Sequence, residues 1–245
     1  MRPLCKRICV MFWTTLIILS LTSCQQLNSV ELSSVTEAIL QSYGVEKSSI
    51  TSIGDYDLIH IELSAPNFDD EGFKVYFDEV YSSFGKLTDE FVEKQFGFDS
   101  VEELVEDEKE QYAGHLRTMA IYEAEAEVIN KLLLEATFQL DEKEVAEYSK
   151  QIVYREQNFS TLFGYDSFDE YVEEELGYSE SQFLQNCITQ GEKEMKRYLV
   201  VGAIAKKENL DADVNENTPE AYAWLENQVF DLFISYSDDF WGITE

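Results

Sequence analysis

The chain reads as a mainly helical protein, built on one long spine helix with projecting arms and a small two-stranded antiparallel ribbon near the amino end. Three observations carry that expectation. The 245 residues include only 3 prolines and 11 glycines, which favours long helices over a many-turned β fold. Between Val101 and Phe138, apolar or small residues fall at Val101, Leu104, Val105, Tyr112, Leu116, Met119, Ala120, Ala124, Val128, Leu132 and Ala136, steps of three and four that return to one helix face. A period of two appears only around residues 58–78, where strands are expected instead.

A helix over that spine segment is roughly 50 Å long, longer than a compact domain of this size is wide, so it projects or serves as a scaffold. Ser100 precedes the run and Glu103 follows three residues later, the spacing of a capping box. The apolar steps drift from a strict heptad, which favours packing by several shorter helices over a solvated coiled coil.

Taken in order, the amino end carries Arg2, Lys6 and Arg7, then the apolar stretch Ile8 to Leu21, then Leu21-Thr22-Ser23-Cys24. A basic segment, an apolar segment and small residues are the pattern of a secretory signal peptide. The apolar run is short for a membrane span of about 20 residues. Its last four residues resemble a bacterial lipobox, which implies cleavage before Cys24 and a lipid on that cysteine. Residues 1–23 are then the signal peptide and 24–34 a lipidated tether. Val35 to Tyr43 is a brief helix stopped by Gly44. Ile59, Ile61 and Leu63 alternate with polar neighbours, and after turn residues 67–72 so do Phe73, Val75 and Phe77, which predicts two paired strands. Residues 35–86 are expected to form this small α/β segment.

Helices alone follow. Thr88 caps one that ends at Gly97, the spine comes next, and Asp141 caps another to about Phe163. Ser167 starts a short helix to Gly177, and Ser179 a long one to about Asn209. Along it Leu184, Cys187, Ile188, Gly191, Met195, Tyr198, Leu199 and Gly202 form one stripe. Gly191 and Gly202 each cost about 1 kcal/mol relative to Ala within a helix, so another helix is expected to approach closely there. Residues 87–212 make up this helical domain. Pro219 begins the last helix, and residues 213–245 end in an aromatic tail.

The formal net charge of -31 opposes binding to nucleic acid or to an anionic bilayer surface. Membrane attachment therefore rests on the lipid at Cys24. Cys5 and Cys9 leave with the signal peptide and Cys24 is lipidated, so Cys187 stands alone with no disulfide partner. Its place on an apolar face marks a small buried hydrophobe.

Leu87-Thr88-Asp89-Glu90-Phe91-Val92, then Phe96-Gly97-Phe98-Asp99-Ser100-Val101-Glu102-Glu103-Leu104, resembles the entry to the carboxy-terminal chaperone domain of trigger factor. Tyr198 to Leu210 is similar to the return helix of that domain. Phe168 to Tyr171, followed by Tyr178 to Phe183, resembles its pair of intervening helix starts. The resemblance covers about residues 84 to 210. Ile53 to Ile61 also looks like a strand of the FKBP-type prolyl isomerase domain that precedes the chaperone domain, and Phe73 to Val80 like its last strand. Only a short turn intervenes where the proline pocket would be, so prolyl isomerase activity and its site residues do not carry over, and the segment reads as a vestige.

The resemblance implies an ATP-independent holdase or foldase with no cofactor. Its helical arms would form a cradle for exposed apolar segments of unfolded or nascent secreted proteins, held by lipid at the extracytoplasmic face of a bacterial membrane. Candidate client-binding residues are Phe138, Ile152, Val153, Tyr154, Phe159, Leu162, Phe163, Tyr165, Phe168 and Tyr171, with ordinary helix packing as the alternative for each. A residual isomerase and an assembly lipoprotein with one dedicated partner are the competing functions, and the aromatic tail leaves a homodimer open. Enzyme chemistry has little support. His60 and His115 lack a second ligand at metal spacing. Asp211, Asp213, Asn215 and Asn217 alternate like the start of a calcium loop, but Glu216 occupies the glycine position and Tyr222 the closing glutamate position.

Overall fold

The computed structural model describes residues 29–210 and 218–242. The expected signal peptide, the Cys24 lipidation site and the alternation at Asp211–Asn217 lie outside the described residues. The elements in chain order are α1 (Ser34–Ser42), β1 (Ser49–Ser52), β2 (Ile61–Leu63), α2 (Asp70–Tyr81), α3 (Asp89–Phe96) and α4 (Val101–Glu135). There follow β3 (Thr137–Gln139), α5 (Glu142–Leu162), α6 (Phe168–Glu170, running into a π-helical turn at Tyr171–Glu175), α7 (Glu180–Lys207), α8 (Pro219–Asp231) and β4 (Ile234–Tyr236). Among the described residues no helix is long and apolar enough to cross a membrane. The chain divides into two compact units, Met1–Asp55 with Leu133–Glu226, and Tyr56–Leu132 with Asn227–Glu245.

The first unit is organised around the carboxy-terminal half of α7. Leu199 to Ala205 are all buried, a run apolar on every side that only a surrounded helix tolerates. α1 crosses it where α7 has no side chain: Ser33 N donates to Gly202 O at 3.0 Å, and a Cβ on Gly202 would lie 2.6 Å from the Thr36 side chain. α5 packs along α7 in the opposite direction, with Ser149 against Gly191, where an added Cβ would meet Ser149 Oγ at 2.5 Å. Both glycines therefore mark the close approaches expected of them. β1 pairs antiparallel with β3, Ile50 opposite Phe138.

The loop leading into β1 is clamped to α5 by Glu144. Its carboxylate accepts from the amides of Glu46 (2.9 Å), Lys47 (2.7 Å) and Ser48 (2.8 Å) and from Ser48 Oγ (2.7 Å). Ser48 Oγ in turn accepts from Asp141 N at 3.0 Å. Burial works against ionisation of Glu144, but these donors outweigh it and hold its pKa below the ordinary carboxylate value.

In the second unit, Tyr81, Val92 and Leu104 form a core with Phe77, Leu87, Phe96, Phe98 and Val101 packed on it. Thr88 Oγ1 accepts from Phe91 N, Gly97 closes α3 at φ +83°, and Ser100 Oγ accepts from Glu103 N. The Glu103 carboxylate reaches past Ser100 to Asp99 N at 2.7 Å, so the expected capping box forms in one direction only. The buried Glu108 carboxylate accepts from Tyr76 Oη at 3.0 Å and from Tyr81 Oη. Burial and the neighbouring Glu108 both push these two phenols above their ordinary pKa.

The antiparallel ribbon near the amino end is present, but its strands differ from those expected. Residues 73–80 lie within helix α2, and β2 pairs in parallel with β4, Ile61 opposite Ile234. Asp69 accepts from the amides of Glu71 and Gly72 and starts α2. Phe73, Phe77 and Tyr81 are four apart, a spacing that shares one face in both a strand and a helix. Val75 decides between them: a strand would bury it beside Phe73 and Phe77, and it is 55% exposed. β4 comes from the aromatic tail, which has no strand periodicity of its own. The spine ends at Glu135, three residues short of Phe138, which belongs to β3.

Candidate functional site

The α5 and α7 pair exposes apolar side chains because its packing stripe runs out. Val145, Tyr148, Ser149, Ile152 and Ser160 follow one face of α5 and are buried. Tyr148 Oη also donates to Glu194 of α7 at 3.0 Å. At the far end of the stripe the buried residue is small Ser160, and the large residues beside it fall off the face. Tyr154 is 59% exposed, Phe159 41%, Leu162 79% and Phe163 66%. Gly164, at φ +79°, then turns the chain, and Ser167 Oγ accepts from Glu170 N to start α6.

These four residues are the exposed part of the predicted set. Ile152 and Tyr171 are instead buried, in a cluster with Val172, Phe183 and Cys187, and are corrected to core positions that present no surface. Tyr171 supports the exposed end from beneath, its ring stacked with Phe163 at 6.3 Å between centroids. Phe168 packs edge-on against Phe183 at 5.3 Å. Tyr165 is half-buried and its hydroxyl donates to Glu175 at 2.7 Å, which, together with burial, pushes its pKa up to about 12. Val153 and Phe168 line a shallow groove of about 420 Å³ with Val172, Phe183 and Leu184. Phe138 lies at a second groove of about 610 Å³ with Leu140, Val145, Ala146 and Ile188, and Lys196 Nζ sits 5.8 Å from its ring centroid.

Leu184 and Ile188 are exposed wall residues, whereas the sequence stripe placed them with the core. Cys187, Gly191, Met195 and Leu199 run down the centre of that stripe and are buried. Leu184 and Ile188, four apart at its edge, are left to the grooves. Burial raises the pKa of the Cys187 thiol, with Glu156 adding to it, so this cysteine is a packing residue. Among the described residues no group of three or more His, Cys, Asp or Glu side chains is placed to hold a metal ion.

The first unit is a helical scaffold in which helix pairs meet at close glycine contacts and end in exposed apolar residues that their own core does not use. Residues 100–228 match the family described as bacterial trigger factor protein (TF) C-terminus, just over half of the chain, and the chain belongs to that family. A chaperone-type function comes with that membership. No curated protein and no solved structure gives a match to the chain. The family match begins at Ser100, the residue that caps α4, and ends inside α8.

Proposed function

We propose that the protein is an extracytoplasmic, lipid-anchored holdase that binds exposed apolar segments of secreted client chains without ATP and without prolyl isomerase activity. The observation that carries this reading is the exposed set Tyr154, Phe159, Leu162 and Phe163 at the end of α5. Full burial of a Leu or Phe side chain is worth about 1.5–3 kcal/mol, so a client covering two or three of them gains a useful fraction of micromolar binding, about 8 kcal/mol. Acidic residues Asp166, Asp169, Glu170 and Glu173 to Glu175 follow directly in sequence, which favours solubility of such a surface. The basic, apolar and Leu21-Thr22-Ser23-Cys24 segments support export and lipid attachment, and the anchor places the holdase where secreted chains emerge.

The test mixes Gln25–Glu245 with a chemically denatured client diluted into buffer and follows light scattering against an equally acidic helical protein. Suppression beyond that control, reduced by Phe159→Ser with Phe163→Ser, is the expected result. Scattering equal to the control would overturn the holdase reading and leave an assembly lipoprotein with a dedicated partner.

A further inference from the structure

Residues 165–176 lie between two glycines in left-handed backbone, Gly164 at φ +79° and Gly177 at φ +69°. A Cβ added at either would meet nothing within 4 Å, so both turns stand in open space. The segment lays Tyr171 and Val172 over Ile152 of α5 and over Phe183 and Cys187 of α7, and Tyr165, Phe168 and Leu176 pack at the edge of the same cluster. Its backbone bonds within itself: Ser167 caps α6, and Leu176 N closes the π-helical turn on Tyr171 O at 3.2 Å. A π turn is rare and is found mostly as a single turn at a functional position. The acidic residues of the segment, Asp166, Asp169, Glu170 and Glu173 to Glu175, have no lysine or arginine among them. Asp169 and Glu173 share a groove with Glu180 of α7, which sets like charges against one another where the segment meets that helix. Tyr171 Oη donates to Glu156 of α5 at 3.2 Å, a polar tie across to the helix pair. Apolar contact therefore holds the segment down against its own charge.

We propose that residues 165–176 form a lid, hinged at Gly164 and Gly177, that occupies part of the client site and swings away when an apolar client segment takes its place. The inference rests on the client-binding reading above and adds the regulation of that site. The lid offers the cluster the chemistry a client would: Phe168, Tyr171, Val172 and Leu176, aromatic and aliphatic side chains from a short segment. Closed, it covers Ile152, Phe183 and Cys187 and leaves Tyr154, Phe159, Leu162 and Phe163 exposed. Opening joins the two sets into one apolar surface along α5 and α7. The observed client affinity is then the intrinsic affinity scaled by the open fraction. A change that loosens the lid tightens client binding by the same factor.

Gln25–Glu245 contains every described residue and keeps Cys187 as its one thiol. Burial beneath the lid makes that thiol a reporter of opening. Its labelling by an aromatic disulfide reagent is followed from zero urea upward. Local opening exposes little surface, so labelling through the lid is nearly flat at low urea, whereas labelling through global unfolding rises steeply. A flat range followed by a steep one is the expected result. Tyr171→Phe removes the bond to Glu156 and should label roughly fivefold faster within the flat range, the scale of one hydrogen bond. Phe168→Ser removes the edge-on contact with Phe183 and should also label faster. Gly202→Ala weakens the unit at the α1 crossing instead and should change the flat range by less than about twofold. Fluorescence anisotropy of an amine-labelled, reduced and carboxymethylated globular protein, a client that stays unfolded in buffer, then gives affinities. Tyr171→Phe and Phe168→Ser should bind it more tightly by the factors by which they label faster, and Gly202→Ala within about twofold of the unaltered protein.

Labelling that climbs with the global urea slope from zero urea would overturn the lid, since the cluster would then open only with the whole unit. Faster labelling without tighter binding would overturn its control of the client site. Weaker binding by Phe168→Ser would overturn it in favour of Phe168 as a direct client contact. Each of these results leaves suppression of aggregation by the unaltered protein in place. Absence of binding by all four proteins would instead overturn the holdase reading and the gating with it, while the labelling rates still report whether the segment opens.

Discussion

Replacing Glu144 with glutamine keeps the shape of the side chain and removes its charge. The carboxylate accepts four hydrogen bonds, two at each oxygen, all from residues 46–48. In Glu144→Gln the remaining carbonyl oxygen keeps two of them, and the new amide group points its own donors at Ser48 N–H and Ser48 Oγ. Two charge-assisted bonds at about 1.5 kcal/mol each are lost, a destabilisation of about 3 kcal/mol. For a chain of this size that lowers the melting temperature by roughly 6–12 °C. Circular dichroism or calorimetry reads the shift. The pH dependence follows from the lowered pKa of Glu144. Its stabilisation is fully present above the ordinary carboxylate pKa and is lost as pH falls through the lower folded-state value. The gap between the two proteins should therefore be widest near neutral pH and close in acid. A loss below about 0.5 kcal/mol, the usual scale of surface substitutions, or a gap that widens in acid, would refute the clamp.

Three glycines give the same substitution different signs. Gly114→Ala meets nothing within 4 Å and should stabilise α4 by about 1 kcal/mol. Gly202→Ala sets a Cβ 2.6 Å from three Thr36 side-chain atoms and should destabilise by about 1–3 kcal/mol. Gly191→Ala should fall between them, since Ser149 Oγ can rotate away but its Cα, at 3.3 Å, cannot; urea unfolding ranks the three. Cys24→Ser should abolish incorporation of radiolabelled fatty acid and leave the chain uncleaved in a bacterial host, whereas undiminished incorporation would assign the lipid elsewhere.

The helices were legible because their ends carry local signals. Thr88, Asp141, Ser167 and Ser179 each accept an amide at the start of the expected helix, and Gly44, Gly97 and Gly177 adopt the positive φ that ends one. Gly191 and Gly202 were legible through their cost. The strands were not, because pairing is a long-range choice: β1 finds β3 some 85 residues away, and β2 finds β4 in the tail. Spacing by four left residues 73–81 undecided between helix and strand. Glu144 follows Asp141 by three, a spacing that suggests a local cap, yet its carboxylate serves a loop nearly 100 residues earlier. In the candidate site, periodicity alone could not separate buried Ile152 and Tyr171 from exposed Leu162 and Phe163 among the candidates. That division depends on where α7 and the π-helical turn lie, and on a serine occupying the last position of the packing stripe.

The central claim is that the end of α5 contacts unfolded clients. A photo-crosslinking residue at position 163 tests it most directly, compared with one at Leu58, which is more solvent-facing still but lies in the other unit. Each is mixed with one client in its denatured and its folded form and then irradiated. Adducts from position 163 with the denatured client, few from position 58, and none from either with the folded client are the expected result. Adducts of equal yield from both positions, or from position 163 with the folded client, would contradict it.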